Sequence, residues 1–148
     1  MKIAVGSDHG GFALKEAVKK HLEAKGIEVE DFGCYSTDSV DYAVYGAKVA
    51  HCVADGKADY GVLVCSTGIG ISMAANKVKG IRAALCSDAH AAEMTRRHNN
   101  ENILCLGGLV TEEKTALEIV DTFLKFDFEG GRHQRRIDQI ADIENGRL

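Results

Sequence analysis

Short apolar runs alternate along this chain with longer stretches of helical periodicity, and this alternation constrains the fold more than any other feature. The predicted strands cover residues 2–7, 27–32, 60–65, 81–86 and 102–106. Most of them are apolar throughout, which is typical of parallel strands that are buried on both faces. With helices between successive strands, the pattern predicts a doubly wound, Rossmann-like three-layer α/β sandwich around a five-stranded parallel sheet.

The helices are predicted from apolar spacing and from their end signals. The first opens at Gly10-Gly11 and carries Leu14, Val18 and Leu22, and the second covers residues 42–54. A third is expected at 68–78, a fourth from Ser87 or Asp88 toward His98, a fifth after an N-cap at Thr111, and a last helix after Gly130-Gly131. A length of 148 residues is typical of one domain, so we expect residues 1–148 to form a single unit.

Composition excludes several classes of function. The net charge is −4, which argues against broad contact with nucleic acid or a membrane surface. The sequence has no run of about 18 apolar residues and no signal-peptide pattern, so we expect a cytoplasmic protein. The five cysteines lack CxxC spacing, which argues against a disulfide framework or a zinc site, and we expect Cys52, Cys86 and Cys105 to be small core residues.

The segment from Val62 to Ser72 carries the strongest chemical signal. An apolar strand ends on Cys65, and a short turn with Gly68 and Gly70 leads into the next helix. Free N–H groups at a helix N-terminus stabilise negative charge, so a thiolate or a developing oxyanion is favoured there. The missing Gly-Lys-Ser/Thr excludes a nucleotide P-loop, and Ile71 stands where a cysteine phosphatase needs arginine.

Other polar residues follow the predicted strands at the same sheet edge. Asp8 and His9 follow the first strand, and Asp41 and Tyr42 lie past the second. Ser87 and Asp88 follow the fourth strand. Because ligands of open α/β sheets bind at the carboxyl ends of the strands, these groups are expected to lie near Cys65.

A second polar group does not fit that edge. His98 and Asn99 end the fourth helix, and a helix of about 11 residues spans about 16 Å, which returns the chain to the amino edge. Arg132 and Arg136 follow the fifth helix and, four residues apart, can grip one anion. If these groups serve a site with Cys65, a second subunit presents them. We therefore expect a homodimer with two shared sites, with a tetramer left open, and a C-terminal helix that reaches the partner.

Four motifs, in this order, carry a family resemblance. They are Asp8-His9-Gly10-Gly11, Cys65-Ser66-Thr67-Gly68-Ile69-Gly70, Arg96-Arg97-His98-Asn99 and Glu129-Gly130-Gly131-Arg132-His133-Gln134-Arg135-Arg136. The chain resembles ribose-5-phosphate isomerase type B, of the family that also holds the galactose-6-phosphate isomerase subunits. The resemblance implies interconversion of ribose 5-phosphate and ribulose 5-phosphate in the pentose phosphate pathway. It implies a cis-enediolate intermediate, no metal and no other cofactor.

The resemblance also implies residue roles. Cys65 resembles the base that moves a proton between C1 and C2, Thr67 an oxyanion donor, and His98 the group that opens the furanose ring. The substrate contacts it implies are Asp8, His9, Asn99, the amides of Gly68, Ile69 and Gly70, and Arg132 and Arg136 from the partner subunit. We add Tyr42 and Ser66 as expected walls of the same site.

Two departures from the family pattern keep other functions open. Ser66 stands where the family usually has glycine, and Leu109 stands where some members carry an arginine near the phosphate. Alternative substrates are therefore galactose 6-phosphate, allose 6-phosphate, or free allose and psicose. A non-catalytic sugar-phosphate-binding module on the same fold is a further alternative.

Overall fold

The computed structural model describes all 148 residues and contains one five-stranded sheet. The strands are β1 (Lys2–Ser7), β2 (Glu28–Asp31), β3 (Tyr60–Cys65), β4 (Ala83–Leu85) and β5 (Ile103–Gly107). They lie in the order β2-β1-β3-β5-β4, and every neighbouring pair is parallel. The predicted doubly wound, Rossmann-like fold is therefore confirmed.

Five of the six helices cover the two faces of the sheet. The six are α1 (Phe12–Ala24), α2 (Tyr42–Ala54), α3 (Ile69–Ala75), α4 (Ala89–Asn99), α5 (Glu113–Lys125) and α6 (Arg132–Glu144), and α6 packs against α4. One core layer lies between the sheet and α1, α4 and α5, and the other lies between the sheet and α2 and α3. The strands contribute to both layers, as expected for apolar strands of a covered sheet. None of the six helices is long and apolar enough to cross a membrane.

Two element ends differ from the prediction by two or three residues, because asparagine side chains bind the backbone there, and several strand ends differ by one residue. Helix α3 ends at Ala75 rather than residue 78, since Asn76 donates to the carbonyl of Ala83 at 2.9 Å and accepts from its N–H at 2.8 Å. Strand β4 begins at Ala83 rather than residue 81, since the N–H of Arg82 is bound by the side chain of Asn102. Both asparagines therefore hold the backbone at the start of β4, the edge strand of the sheet.

Helix caps give one confirmed and one wrong prediction. Asp88 caps α4, with its Oδ1 accepting from the N–H of Ala91 at 2.7 Å. Thr111 is not the N-cap of α5. That position is held by Glu112, because its carbonyl accepts the first helical hydrogen bond, from the N–H of Ala116 at 2.9 Å.

The predicted core cysteines are buried. Cys52, Cys86 and Cys105 lie in the two core layers, and no cysteine is paired in a disulfide. Burial raises the pKa of the Cys86 thiol to about 12 and also raises that of Cys105. These two thiols are therefore neutral packing groups at pH 7.

Candidate active site

A cavity of about 490 Å³ opens at the carboxyl edge of the sheet, beside the ends of β1 and β3 and the beginnings of α2 and α3. Its lining residues are Asp8, Tyr42, Cys65, Ser66, Thr67, Ile69, Gly70 and Met73. The structure thus brings together seven residues that the sequence analysis singled out. Met73 was missed, although it lies one helical turn after Ile69 on the same face of α3.

Cys65 lies at the boundary between the core and this cavity. It is the last residue of β3 and is only 5% exposed. Its Sγ lies 3.1 Å from the backbone nitrogen of Gly68, which donates its N–H to the sulfur. A backbone donor at this distance favours negative charge on the sulfur.

Gly68 makes this contact possible. Its φ of +80° lies in the left-handed region, and it forms the N-cap of α3. A Cβ at this position would lie 2.4 Å from Cδ1 of Leu85 and 2.9 Å from the backbone of Leu106. No side chain fits there, so the turn that places an amide over the sulfur of Cys65 requires glycine.

Further polar groups line the turn after Cys65. The hydroxyl of Thr67 accepts from the N–H of Ile69 at 3.3 Å. The N–H of Gly70 has no hydrogen-bond partner within the chain. Of the three amides predicted as substrate contacts, only that of Gly70 is free, because those of Gly68 and Ile69 donate to Cys65 and Thr67. The Thr67 hydroxyl and the Gly70 amide are the kind of donor set that stabilises an oxyanion.

Tyr42 forms the opposite wall of the cavity. Its ring lies directly over Gly70, since a Cβ on that glycine would be 2.6 Å from Cε1 of the tyrosine. Tyr42 is the first residue of α2, and it remains partly exposed toward the cavity mouth. The close approach of ring and backbone sets the width of the site.

Asp8 and His9 come from the turn after β1. Asp8 is buried and its Oδ1 accepts from the N–H of Gly11 at 3.0 Å, which fixes the carboxylate at the cavity. His9 lies beside the cavity without lining it. Its Nδ1 accepts from the N–H of Val40 at 3.1 Å, so its neutral ring carries the proton on Nε2.

The second polar group lies at the other edge of the sheet. His98 is the penultimate residue of α4, which ends shortly before β5 begins at Ile103. Cys65 pairs in register with Gly107, at the far end of β5, about 13 Å further along the strand. The structure therefore does not bring His98, Asn99, Arg132 or Arg136 to the cavity of their own protomer.

Arg132 and Arg136 present an unpaired cationic surface. Both lie in α6, both are exposed, and neither forms an ion pair with a carboxylate. Asn99 is fixed differently, because its carbonyl accepts from Nε of Arg82 at 3.0 Å. Two free guanidinium groups one helical turn apart suit a phosphate-sized anion.

His98 is stacked on His133 of α6. The ring centroids lie 4.2 Å apart and the planes differ by 9°. No periodicity or spacing in the sequence predicts this contact. Desolvation, followed by the charges of His98 and Arg132, holds the pKa of His133 below its usual range.

His98, Glu129 and His133 also have metal-ligand atoms within 4.8 Å of one another. Their arrangement does not suit one ion, because the lone pairs of two parallel imidazoles lie in separate planes and do not meet at a point. Glu129 is already engaged by Nε of Arg97 at 3.0 Å. The three groups are better described as a hydrogen-bonding and stacking cluster.

Comparison with known proteins identifies the family. Residues 3–140 match the model of the family described as Ribose/Galactose Isomerase. The chain belongs to this family. The match includes both edges of the sheet, from β1 into α6.

Members of the family are similar over the whole chain. Ribose-5-phosphate isomerase B of Escherichia coli is 47% identical over 146 residues, with 99% of this chain and 98% of that protein covered. The Clostridium thermocellum ribose-5-phosphate isomerase B structure has a TM-score of 0.98 and 51% identity, with full coverage of both chains. The Mycoplasma genitalium enzyme, solved with bound ribulose-5-phosphate, has a TM-score of 0.94 and 44% identity, with 97% and 96% covered. The predicted family is confirmed, and with it an aldose–ketose isomerase.

Proposed function

We propose that this chain interconverts ribose 5-phosphate and ribulose 5-phosphate through a cis-enediolate, with Cys65 as the base. The observation that carries the proposal is the sulfur of Cys65, which lies at the cavity, 3.1 Å from the N–H of Gly68. The names of the Escherichia coli and Clostridium thermocellum relatives, and the ligand of the Mycoplasma genitalium structure, support the choice of sugar.

The proton transfer follows from this placement. In the open-chain aldose, the thiolate of Cys65 removes the proton on C2. The C–H electrons form the C1–C2 double bond, and O1 becomes an oxyanion. The thiol then returns the proton to C1, while the proton of the O2 hydroxyl moves to O1. The C2 carbonyl that results is the ketose, with no atom gained or lost.

The charge on O1 needs donors that are already in place. The hydroxyl of Thr67 and the free N–H of Gly70 are the candidates, since both residues line the cavity with Cys65. Asp8, His9, Tyr42 and Ser66 would hold the sugar hydroxyls. Fixed donors in a partly enclosed cavity stabilise an oxyanion more than water does.

We further propose that the site is completed by a second copy of the chain. Ring opening by His98, contact by Asn99 and phosphate binding by Arg132 and Arg136 all require groups that lie far from Cys65 in one protomer. Exposed apolar side chains also lie at the cavity: Met73, which lines it, is 63% exposed, and Leu109, whose N–H donates to the carbonyl of Ser66, is 73% exposed. A homodimer would cover these side chains and create two shared sites.

Other sugars are tested by comparing kcat/KM. Leu109 is exposed and offers no charge to a phosphate, so we assign phosphate binding to Arg132 and Arg136. We expect ribose 5-phosphate to be turned over more efficiently than galactose 6-phosphate, allose 6-phosphate or free allose. A higher kcat/KM for a free sugar would contradict the proposal that Arg132 and Arg136 recognise the substrate through its phosphate.

The base is tested by Cys65→Ala. Loss of a general base lowers kcat by about 10²–10⁴-fold while sugar-phosphate binding is largely kept. Cys52→Ala is the matched control, because Cys52 is also buried but lies on α2 away from the cavity lining. A Cys65→Ala protein that retains turnover would refute the role of this thiol. A wild-type protein that binds the sugar but exchanges no C2 proton would instead indicate a binding module.

The shared site is tested by mixing two inactive variants. Cys65→Ala and His98→Ala subunits, refolded together in equal amounts, form heterodimers in which one site holds both wild-type groups. Random pairing gives half heterodimers with one of two sites active, so about a quarter of the wild-type activity returns. If each site lay within one protomer, no activity would return.

A further inference from the structure

The imidazole stack of His98 and His133 joins two helices that the proposed mechanism uses separately. His98 is one residue from the end of α4, and His133 is the second residue of α6. Their nearly parallel rings, 4.2 Å apart, give His98 a flat support on one face. The rings are 35 residues apart in sequence, so the fold, rather than local helix spacing, brings them together.

The support is held rigidly to the end of α4. The N–H of Glu129 donates to the carbonyl of Arg97 at 3.0 Å, and its carboxylate accepts from Nε of Arg97 at 3.0 Å. The N–H of His133 donates to the carbonyl of Gly130 at 3.0 Å. The turn before α6 is therefore clamped to the helix that carries His98.

Burial distinguishes the two rings. His133 is 8% exposed, whereas the side chain of His98 is 40% exposed. The buried ring thus acts as a fixed surface, and the exposed ring is the one that can reach a ligand. A long contact of 3.5 Å between Nε2 of His98 and Oε1 of Glu129 adds an attraction from the side.

The charges around His133 favour its neutral form. The groups that face it are His98 on α4, Glu129 in the turn, and Arg132 and Arg136 on α6. Desolvation, His98 and both arginines lower the pKa of His133, and only Glu129 raises it. A neutral His133 ring stacks on His98 without charge repulsion.

We propose that His133 is a positioning residue that holds the imidazole of His98 by stacking, in the orientation needed to open the furanose ring. The inference rests on the proposed function, because it assigns His133 to the ring-opening step of the same shared site. His133 does not touch the reacting carbons. It acts only through His98.

Two reactions separate ring opening from proton transfer. Ribose 5-phosphate is a furanose, so its isomerisation requires cleavage of the C1–O4 bond with a proton moved from O1 to O4. Ribulose 5-phosphate has no free O5 with which to close a ring, so it reaches Cys65 as the open chain. Exchange of solvent deuterium into C1 of ribulose 5-phosphate therefore reports the Cys65 step without ring opening.

The test compares His133→Ala and His133→Phe in both reactions. A misaligned catalytic group can lower a reaction rate by one to two orders of magnitude. We therefore expect His133→Ala to lower kcat for ribose 5-phosphate about tenfold, while KM and the rate of deuterium exchange stay within about twofold of wild type. His133→Phe keeps an aromatic face and is expected to retain kcat within about threefold. His51→Phe, an exposed histidine on α2, is the control and should match wild type.

The outcomes distinguish this inference from the proposed function. His98→Ala should lower kcat for ribose 5-phosphate more than His133→Ala does, while deuterium exchange into ribulose 5-phosphate is kept. A wild-type protein inactive on both sugars would refute the proposed function itself. With wild type active, equal loss of both reactions in His133→Ala would reduce His133 to a packing residue and overturn the inference. If His133→Ala does not fold, a folded His133→Phe with kcat lowered tenfold would overturn the stacking role in the same way.

Discussion

Glu101 is a buried acid whose removal should stabilise the protein. The residue is 0% exposed, and neither carboxylate oxygen has a hydrogen-bond partner. Arg96 is also buried nearby, but its guanidinium donates to the backbone carbonyl of Glu101, to the carbonyl of Phe126 and to the hydroxyl of Tyr60. Burial raises the pKa of Glu101 to about 9, so the folded protein holds it protonated at pH 7.

The magnitude follows from the two protonation states. The unfolded chain ionises this group near its ordinary pKa of 4.5, whereas the folded chain ionises it only near 9. At pH 7, Glu101 must therefore bind a proton when the chain folds. This lowers the free energy of unfolding by about 1.4 kcal/mol for each of the roughly 2.5 pH units between pH 4.5 and pH 7. The penalty is absent below pH 4.5, grows as the pH rises, and reaches about 3 kcal/mol at pH 7.

Glu101→Gln keeps the shape of the side chain and removes its titration. We expect the free energy of unfolding to rise by about 2–3 kcal/mol at pH 7, and the gain to be about 4 kcal/mol larger at pH 8 than at pH 5. Urea denaturation at fixed protein concentration measures this as a shift in midpoint without a change in slope. Glu118→Gln, an exposed acid on α5, is the control and should shift neither value.

One result would refute the reasoning for Glu101. If Glu101→Gln destabilises the protein equally at pH 5 and pH 8, the carboxylate is ionised in the folded state and Arg96 compensates its charge. Removing one partner of such a buried pair is strongly unfavourable, so the sign of the effect decides between the two states.

Three further predictions concern the two edges of the sheet. Gly68→Ala should destabilise the protein by about 2–3 kcal/mol and abolish turnover, because its left-handed φ and the contact with Leu106 exclude a Cβ; urea denaturation and kcat measure both. Arg132→Ala or Arg136→Ala should raise KM for a phosphorylated sugar about tenfold, whereas Arg135→Ala on the same helix should leave it unchanged. Asp88→Ala should lower the free energy of unfolding by about 1 kcal/mol, since α4 loses its N-cap; an unchanged urea midpoint would contradict this.

Sequence periodicity correctly predicted the bounds of helices and strands that end where their own apolar spacing ends. Helix α2 and strand β3 have the bounds expected from sequence, because continuous apolar spacing begins and ends there. The ends of α3 and β4 were wrong by two or three residues. They depend on Asn76 and Asn102, whose side chains bind backbone groups in other elements, and sequence periodicity carries no sign of such contacts.

The candidate site divides in the same way. Seven cavity residues were predicted, from the family motif and from the rule that polar turns after parallel strands meet at the carboxyl edge. The same rule placed Asp41, Ser87 and Asp88 near Cys65, and these three do not line the cavity. The stack of His133 on His98 depends on how the turn at Glu129 docks on α4. That docking involves residues distant in sequence, so it became visible only in the folded chain.

The topology explains why the proposed site requires a second protomer. In a doubly wound parallel sheet, each helix returns the chain to the amino edge, so a residue at a helix C-terminus lies a full strand length from the cavity. His98 is such a residue, and α6 packs against α4 at that same edge. A two-fold axis beside the apolar rim of Ile69 and Met73 would place the amino edge of one copy over the cavity of the other. Within one chain, Cys65 and His98 are too far apart to act on the same sugar. In the proposed dimer, each subunit therefore needs His98 from its partner.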